Sequence, residues 1–193
     1  MKVTAEQRKE RELVWQRDRL PVLMKKIPLR IQEVLQKPIL SVSKPLSESM
    51  YTFGRARTGK SVKTAEKALV WSCTQFVYRR QYEFIFITCT DLLAELRDSY
   101  SNNDISEKQI LDKYKNVKLL VLDDIGVAKT TEWAFQMMYT ILAYRYDNRM
   151  TTYYTCNLSL EELAERLQDD RLTSRIAHEC GNNIFEFDNE PYI

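Results

Sequence analysis

GRARTGKS, at residues 54–61, is the most informative stretch of this chain. It matches the pattern GxxxxGK[ST], follows a short apolar run at residues 50–53 and opens a stretch of helical periodicity. Such a loop needs glycines because backbone N–H groups must approach the β- and γ-phosphates of a nucleotide, and a Cβ would obstruct them. Lys60 would place a positive charge on the phosphates, and the Ser61 hydroxyl would bind Mg²⁺.

The alternative for this motif is an ordinary tight surface turn. The chain contains only four glycines, and two of them fall at the spacing that the motif requires. We therefore expect a site for a nucleoside triphosphate. Its phosphate loop would consist of Gly54, Arg55, Ala56, Arg57, Thr58, Gly59, Lys60, Ser61 and Val62.

Length and composition favour a single α/β domain. The chain has 193 residues, of which 44% are hydrophobic, and this is enough for one sizeable core. The sequence has no stretch of the length of a membrane span, and its N-terminus lacks an apolar signal region. The cysteines lie far apart, and His178 has no partner at ligand spacing, so a zinc site is not expected. We expect a cytoplasmic protein without a membrane partner.

The N-terminal segment is basic. Residues 1–37 hold ten Lys or Arg and five Asp or Glu, so this segment carries +5 and the remainder −3. Basic segments often contact nucleic acid or an acidic protein surface, but a solvated charged helix explains the pattern equally well. A connector rich in Pro and Ser follows at residues 38–49. We therefore predict a helical, partner-binding segment and linker at 1–45 and a second domain at 46–193.

Apolar runs and helical patterns alternate after the connector, as in a parallel-sheet protein. Strands are predicted at residues 50–53, 83–89, 117–122, 151–156 and 183–187. Helices are predicted at residues 4–20, 22–35, 62–78, 91–99, 106–115, 131–148, 159–167 and 171–179. Thr4, Asp91 and Ser159 are the expected N-caps. The most apolar strand, 117–122, is expected at the centre of the sheet, covered on both faces.

VKLLVLDDIG, at residues 117–126, would supply the carboxylates of a nucleotide site. Asp123 would hold Mg²⁺, and Asp124 would orient or deprotonate the attacking water. Neighbouring acids also occur as simple turn residues, but the phosphate loop upstream favours the catalytic interpretation. Asn157, at the end of the next predicted strand, would hydrogen-bond the attacking water or the γ-phosphate. Its alternative is an Asx turn before the Ser159 cap.

DDRLTSRIAHE places Arg171 and Arg175 on one face of a helix. Both could simply pair with the nearby carboxylates of Asp169, Asp170 or Glu179. Alternatively, one of them projects into the nucleotide site of a neighbouring subunit, where it would stabilise the transition-state charge on the γ-phosphate.

Taken together, GRARTGKSVKTA, LLVLDDIG, AYRYDNR, TTYYTCNLS and DDRLTSRI resemble the AAA+ ATPase module of DnaC/DnaI-type replicative helicase loaders and IstB-type transposition helper ATPases. The resemblance covers about residues 46–188. It implies an α/β, P-loop NTPase fold with a five-stranded parallel sheet of order 5-1-4-3-2 flanked by helices, without a separate C-terminal lid domain. Residues 46–193 would then be the AAA+ ATPase domain.

The resemblance also implies roles for individual residues, with ATP and Mg²⁺ as cofactors. These roles are Walker A for Lys60 and Ser61, Walker B for Asp123 and Asp124, sensor 1 for Asn157, and arginine finger for Arg175, with Arg171 as the second candidate. Two departures bear on activity. Arg57 stands where the family usually has glycine, and Arg55 adds a second charge beside it, so either would tune phosphate affinity or slow turnover. Asp124 stands where many AAA+ enzymes have glutamate, and its shorter reach would favour slow, switch-like hydrolysis.

The leading functional interpretation is a helicase loader in DNA replication, with a slow ATPase that DNA or a partner stimulates. It would assemble head to tail as a homo-oligomer on DNA, single-stranded more than duplex, and deliver a replicative helicase in a bacterial or phage-infected cell. One alternative is a transposition helper that binds duplex target DNA and a transposase. Another is an ATP switch that does not hydrolyse its nucleotide and binds or inhibits a replication partner.

Two groups of side chains are candidates for DNA contact, because aromatic rings stack on bases and basic groups neutralise phosphates. The simpler interpretation of both is a solvated helix end, where arginines oppose the helix dipole. The first group is Tyr78, Arg79, Arg80 and Tyr82, and the second is Arg145 and Arg149.

Overall fold

The computed structural model describes residues 3–35, 48–79, 82–101, 105–126 and 131–188. Within these residues, five parallel strands form one sheet in the order β2-β3-β4-β1-β5. The strands are β1 (Met50–Gly54), β2 (Phe84–Thr88), β3 (Leu119–Asp123), β4 (Thr151–Thr155) and β5 (Ile184–Phe187). This is the predicted order counted from the opposite edge, so the expected sheet is confirmed.

Helices cover both faces of the sheet. They are α1 (Ala5–Val14), α2 (Leu20–Met24), α3 (Leu29–Gln32), α4 (Lys60–Arg79), α5 (Cys89–Asp98), α6 (Glu107–Asn116), α7 (Glu132–Asp147), α8 (Leu160–Leu167) and α9 (Arg171–Cys180). A π-helical segment, Trp15–Arg19, joins α1 to α2. In the part of the chain that the structure describes, no helix combines the length and the apolar character needed to span a membrane.

Side chains of β3 alternate between two hydrophobic layers, as the pleat of a strand requires. Leu119 and Val121 pack with α4, whereas Leu120 and Leu122 pack with the layer formed by α5 to α9. Every residue of β3 is buried, so the strand is covered on both faces as predicted, and it lies inside the sheet between β2 and β4, although the middle strand is β4. The strand therefore holds its last residue, Asp123, in a fixed position at the carboxyl edge of the sheet.

The caps of three helices test the predicted helix starts. Thr4 and Ser159 form capping boxes at α1 and α8, as predicted. The prediction for α5 was wrong, because Thr88 is its N-cap and accepts the N–H of Asp91 over 3.0 Å. Asp91 lies in the first turn instead, where its negative charge interacts favourably with the helix dipole.

The N-terminal segment packs on the same face of the sheet as α4. Trp15, Leu23, Ile27 and Ile31 are almost fully buried in the hydrophobic cluster that contains the core side of α4. The indole N–H of Trp15 also donates to Ser72 Oγ over 3.3 Å. The proposed boundary at residue 45 lies outside the described residues, but residues 3–35 bury a hydrophobic surface against the second domain.

Arg145 is completely buried, so both interpretations of this residue, DNA contact and a solvated helix face, were wrong. Its side chain is completely buried and donates to Thr152 Oγ1 and to the backbone carbonyls of Tyr114, Val117 and Thr151. Burial lowers the pKa of the guanidinium to about 10. Arg145 therefore joins α7 to β4 and to the end of α6, which is a structural role.

The end of α4 is occupied by basic side chains of the N-terminal segment. Arg11 Nη1 donates to the carbonyl of Val77 over 2.6 Å, and the Arg19 guanidinium lies 5.1 Å from the centre of the Tyr82 ring. Arg80 lies outside the described residues. These contacts favour the simpler interpretation of this cluster as a helix end whose carbonyls and rings are engaged within the chain.

Candidate functional site

The predicted phosphate loop connects β1 to α4. Gly54 has a φ of +128°, and a Cβ at this position would lie 2.2 Å from the carbonyl oxygen of Phe187 in β5. Gly59 has a φ of +85°. Both glycines therefore adopt backbone conformations that other residues strongly disfavour. The Gly54 contact also brings the start of the loop close to the edge strand.

Arg57 explains why a glycine suits the middle of this loop. Its φ is +66°, in the left-handed region, where a residue with a Cβ is strained by about 1–2 kcal/mol. Arg55 and Arg57 are both exposed, and Arg55 Nε lies 3.7 Å from Asp188 Oδ1. Thr58 is buried, and its hydroxyl donates to the carbonyl of Arg55 over 2.9 Å. The loop therefore keeps its turn through internal hydrogen bonds.

Lys60, the first residue of α4, is 5% exposed and points back beneath the loop. Its Nζ donates to the carbonyls of Gly54 and Arg55 over 2.8 and 2.5 Å. Burial lowers the pKa of the ammonium, and the nearby carboxylates of Asp124 and Asp123 act in the opposite direction. The ammonium lies at the N-terminus of a 20-residue helix, where the helix dipole and free N–H groups also attract phosphate.

Asp123 ends β3 with a completely buried carboxylate. The Thr155 hydroxyl donates to Asp123 Oδ1 over 2.6 Å. Burial raises the pKa of Asp123, whereas the hydroxyls of Thr155 and Ser61 lower it. No group in the described residues completes a hydrogen bond to Oδ2. A buried carboxylate oxygen without a donor, close to a hydroxyl at the start of α4, fits the oxygen ligands that Mg²⁺ prefers.

Asp124 has a φ of +57°, which turns the chain sharply after β3. Its N–H donates to Thr155 Oγ1 over 2.9 Å. A left-handed conformation at a residue other than glycine is often found at functional sites, and aspartate tolerates it better than glutamate. This backbone conformation places the Asp124 side chain in the cleft. The greater tolerance of aspartate for a positive φ is a physical reason for aspartate at this position.

A cleft of about 390 Å³ lies above these groups, which is in the size range of small-molecule sites. Among the predicted site residues it brings together phosphate-loop residues, Asp124 and Asn157. Its full lining is Arg30, Ile31, Val34, Ala56, Arg57, Gly59, Lys60, Ser61, Val62, Asp124 and Asn157. A larger cleft of about 550 Å³ lies at the amino ends of the strands, near Ser49 and Thr151, and contains no phosphate loop.

Arg171 and Arg175 do not line the nucleotide cleft. They lie on α9, where their guanidinium groups are 5.3 and 5.0 Å from the centre of the Tyr139 ring. Arg171 also pairs with Asp169 over 2.6 Å, as its simpler interpretation predicted. Arg175 lies 5.7 Å from the Tyr146 ring as well, and its buried Nη1 has no hydrogen-bond partner in the described residues.

Two site residues were missed in the sequence. Thr155 is the neighbour of Asp123 because β3 and β4 pair in parallel, with Leu122 opposite Tyr154. A threonine at the end of the strand beside the carboxylate strand was the signal that could have identified it. Arg30 approaches Asp123 from the N-terminal segment, and nothing in the local sequence predicts that contact.

Comparison with known proteins places the chain among ATP-binding proteins. The family model described as IstB-like ATP binding protein matches residues 54–192. The replicative helicase loader DnaC of Escherichia coli K12 is 27% identical over 132 residues, which are 68% of this chain and 50% of that protein. DnaI of Bacillus subtilis is 26% identical over 117 residues, 60% of this chain and 35% of that protein.

A mobile-element protein is also similar to this chain. The insertion sequence IS232 putative ATP-binding protein of Bacillus thuringiensis subsp. berliner is 30% identical over 91 residues, 47% of this chain and 35% of that protein. The chain spans about half or less of the length of these curated relatives.

Solved structures share the fold at low sequence identity. A crystal structure of the DnaC helicase loader has a TM-score of 0.59 at 19% identity, over 96% of this chain and 100% of that one. A DnaI structure has a TM-score of 0.54 at 22% identity, over 73% and 72% of the two chains. The replication initiator DnaA bound to AMPPCP and single-stranded DNA has a TM-score of 0.59 at 19% identity, over 90% of this chain and 47% of that one.

Proposed function

The chain belongs to the IstB-like ATP-binding protein family, and from this premise we propose that it is an AAA+ ATPase that acts in DNA replication as a helicase loader. The observation that carries the proposal is the arrangement of Lys60 beneath the phosphate loop after β1 and of Asp123 and Asp124 at the end of β3, which β4 separates from β1 in the sheet. The similarity to DnaC over 68% of this chain favours a replication role.

Five side chains at the site have roles in this mechanism. The loop N–H groups and Lys60 would bind the β- and γ-phosphates, and Ser61 and Asp123 would hold Mg²⁺, which would neutralise charge on the phosphates. Asp124 orients the attacking water and accepts its proton. Asn157, exposed at the rim of the cleft, hydrogen-bonds that water or the γ-phosphate.

The arginines of α9 act between subunits in this proposal. Arg175 is the arginine finger and Arg171 the second candidate. Neither residue lines the cleft of its own subunit, and the Tyr139 ring lies against both guanidinium groups. Aromatic contacts limit the positions that an arginine side chain samples without cancelling its charge. This supports a homo-oligomer in which α9 of one subunit faces the nucleotide of the next.

The partners follow from the relatives. We propose that the oligomer binds DNA, single-stranded more than duplex, and delivers a replicative helicase in the cytoplasm of a bacterial or phage-infected cell. DnaC and DnaI support the helicase as client, since both are described as replicative helicase loaders. Residues 1–45 would be the part that binds the client. Within this part, α1 has no fully buried residue and presents a charged surface.

The decisive experiment is ATP hydrolysis by the purified protein without DNA, with single-stranded DNA and with duplex DNA. Asp124→Asn is the matched variant, because asparagine also tolerates the left-handed backbone of Asp124 but accepts no proton. We expect slow turnover that single-stranded DNA stimulates and that Asp124→Asn abolishes while ATP binding persists. ATP binding without turnover under all conditions would contradict the motor and leave an ATP switch.

A transposition helper is the second candidate, favoured by the IS232 relative. It would share the whole nucleotide mechanism and differ in its DNA and client. Stimulation by duplex DNA alone, together with retention of ATP-loaded protein on duplex and not on single strands, would favour this candidate over the helicase loader.

A further inference from the structure

Arg30 brings the N-terminal segment to the carboxylate of Asp123. Its Nη2 lies 3.5 Å from Asp123 Oδ2, the oxygen that has no hydrogen-bond donor among the described residues. The Asp123 side chain is completely buried, whereas that of Arg30 is 66% exposed. The pair therefore joins a fixed carboxylate to a cation that can move away into solvent.

The backbone that carries Arg30 is fixed more firmly than its side chain. Ile31 is 2% exposed in the hydrophobic cluster around α4. Gln32 Nε2 donates to the carbonyl of Ile27 over 2.6 Å. Arg30, Ile31 and Val34 also line the cleft opposite the phosphate loop. A cation that binds at Asp123 Oδ2 would therefore act on residues 29–35 through the Arg30 side chain.

A guanidinium and a divalent cation cannot both occupy the same face of one carboxylate oxygen. The Arg30 guanidinium pairs with the Asp123 carboxylate, but it also repels a second cation at that position. Asp123 Oδ1 does not offer an equal alternative, because the Thr155 hydroxyl already donates to it. Mg²⁺, or the water that Mg²⁺ carries, must therefore approach Oδ2.

We propose that Arg30 competes with Mg²⁺ for Asp123 Oδ2 and so couples the loading of Mg–nucleotide to the N-terminal segment. The proposal rests on the nucleotide function proposed above. Arg30 is a positioning residue in this scheme: its guanidinium orients the Asp123 carboxylate in the nucleotide-free chain and would leave Oδ2 when Mg²⁺ is bound. That release removes an ion pair between residues 29–35 and the cleft, so the local opening of this segment should change.

The test is a Mg²⁺ titration of the binding of a fluorescent ATP analogue to the full chain, with a parallel titration of the analogue in EDTA. We expect Arg30→Ala to lower the Mg²⁺ concentration for half-maximal binding about twofold to fivefold, as suits a pair with one exposed partner. Arg30→Lys should resemble the wild type. Arg17→Ala is the matched control, since Arg17 is exposed on the same segment and pairs with Asp18.

Two results would overturn this inference while leaving the nucleotide function intact. One is an unchanged Mg²⁺ requirement in Arg30→Ala. The other is an equal loss of affinity with Mg²⁺ and with EDTA, which would make Arg30 a phosphate ligand instead. If the wild type bound no nucleotide in either condition, the proposed function itself would fail.

Hydrogen exchange gives a second readout that does not depend on affinity. The N–H groups of Glu33, Val34 and Leu35 are hydrogen-bonded to carbonyls of α3. In the wild type, Mg–nucleotide should change their exchange rates, whereas in Arg30→Ala the same addition should change them much less. Equal changes in both proteins would contradict the coupling.

Discussion

Thr155 Oγ1 donates to Asp123 Oδ1 over 2.6 Å and accepts the N–H of Asp124 over 2.9 Å. One hydroxyl at the end of β4 therefore holds both residues of the proposed catalytic pair. It orients the carboxylate of the first and satisfies the backbone of the second at its strained left-handed turn. The Thr155 hydroxyl therefore connects the end of β4 to the end of β3 at the site, beside the backbone hydrogen bond from the Ile125 N–H to the Thr155 carbonyl.

Replacing Thr155 with valine tests these two hydrogen bonds. Valine keeps the shape of the side chain but leaves the Asp124 N–H and one Asp123 oxygen without their partner, so we expect a loss of about 1–3 kcal/mol in the free energy of unfolding. The pKa of Asp123 should rise, because the Thr155 hydroxyl lowers it. Urea unfolding followed by tryptophan fluorescence measures the first effect. Thr155→Ser should behave like the wild type, and equal stability of the valine and serine variants would contradict the role of the hydroxyl.

Lys60→Ala tests the phosphate loop itself. The alanine variant loses a charge-assisted contact to the phosphates, so ATP should bind at least about tenfold more weakly in calorimetry. Lys63→Ala is the control, because Lys63 lies on the same helix and its ammonium pairs with Glu66 over 3.0 Å. The control should bind ATP like the wild type. Equal affinities of the two variants would exclude Lys60 as a phosphate ligand.

Much of this arrangement could be predicted because it follows from local pattern. Three local patterns each predict the structure of their own segment: the apolar run at 117–122, the glycines of the loop and the acids after the strand. The Thr88 cap was missed because Thr88 and Asp91 both suit the start of a helix, and only the end of β2 decides between them. The burial of Arg145 was missed because its acceptors are mostly carbonyls from distant segments, which no side-chain pattern records.

Arg175→Ala should abolish turnover while leaving ATP binding intact, if it acts on a neighbouring subunit. An arginine finger is worth about 10³-fold or more in rate. Mixing Arg175→Ala with Lys60→Ala subunits, each inactive alone, should restore measurable hydrolysis, since the second supplies the arginine to the intact site of the first. Arg171→Ala in the same mixture shows which of the two acts. A mixture that stays inactive, although the subunits co-assemble, would contradict action between subunits.

The partly buried Glu179 predicts how stability depends on pH. Burial raises its pKa to about 7 from an ordinary 4.5, although the Tyr154 hydroxyl donates to it over 2.5 Å and Arg145 is near. The folded chain therefore binds a proton that the unfolded chain releases, so the free energy of unfolding should fall as the pH rises from about 4.5 to 7 and stay level above that. The shift corresponds to about 3 kcal/mol at most. Glu179→Gln can still accept the Tyr154 hydrogen bond but does not ionise, so its advantage over the wild type in urea unfolding should grow from pH 5 to pH 8. A stability difference between the two proteins that is constant over this range would mean that the pKa of Glu179 is not raised in the folded chain.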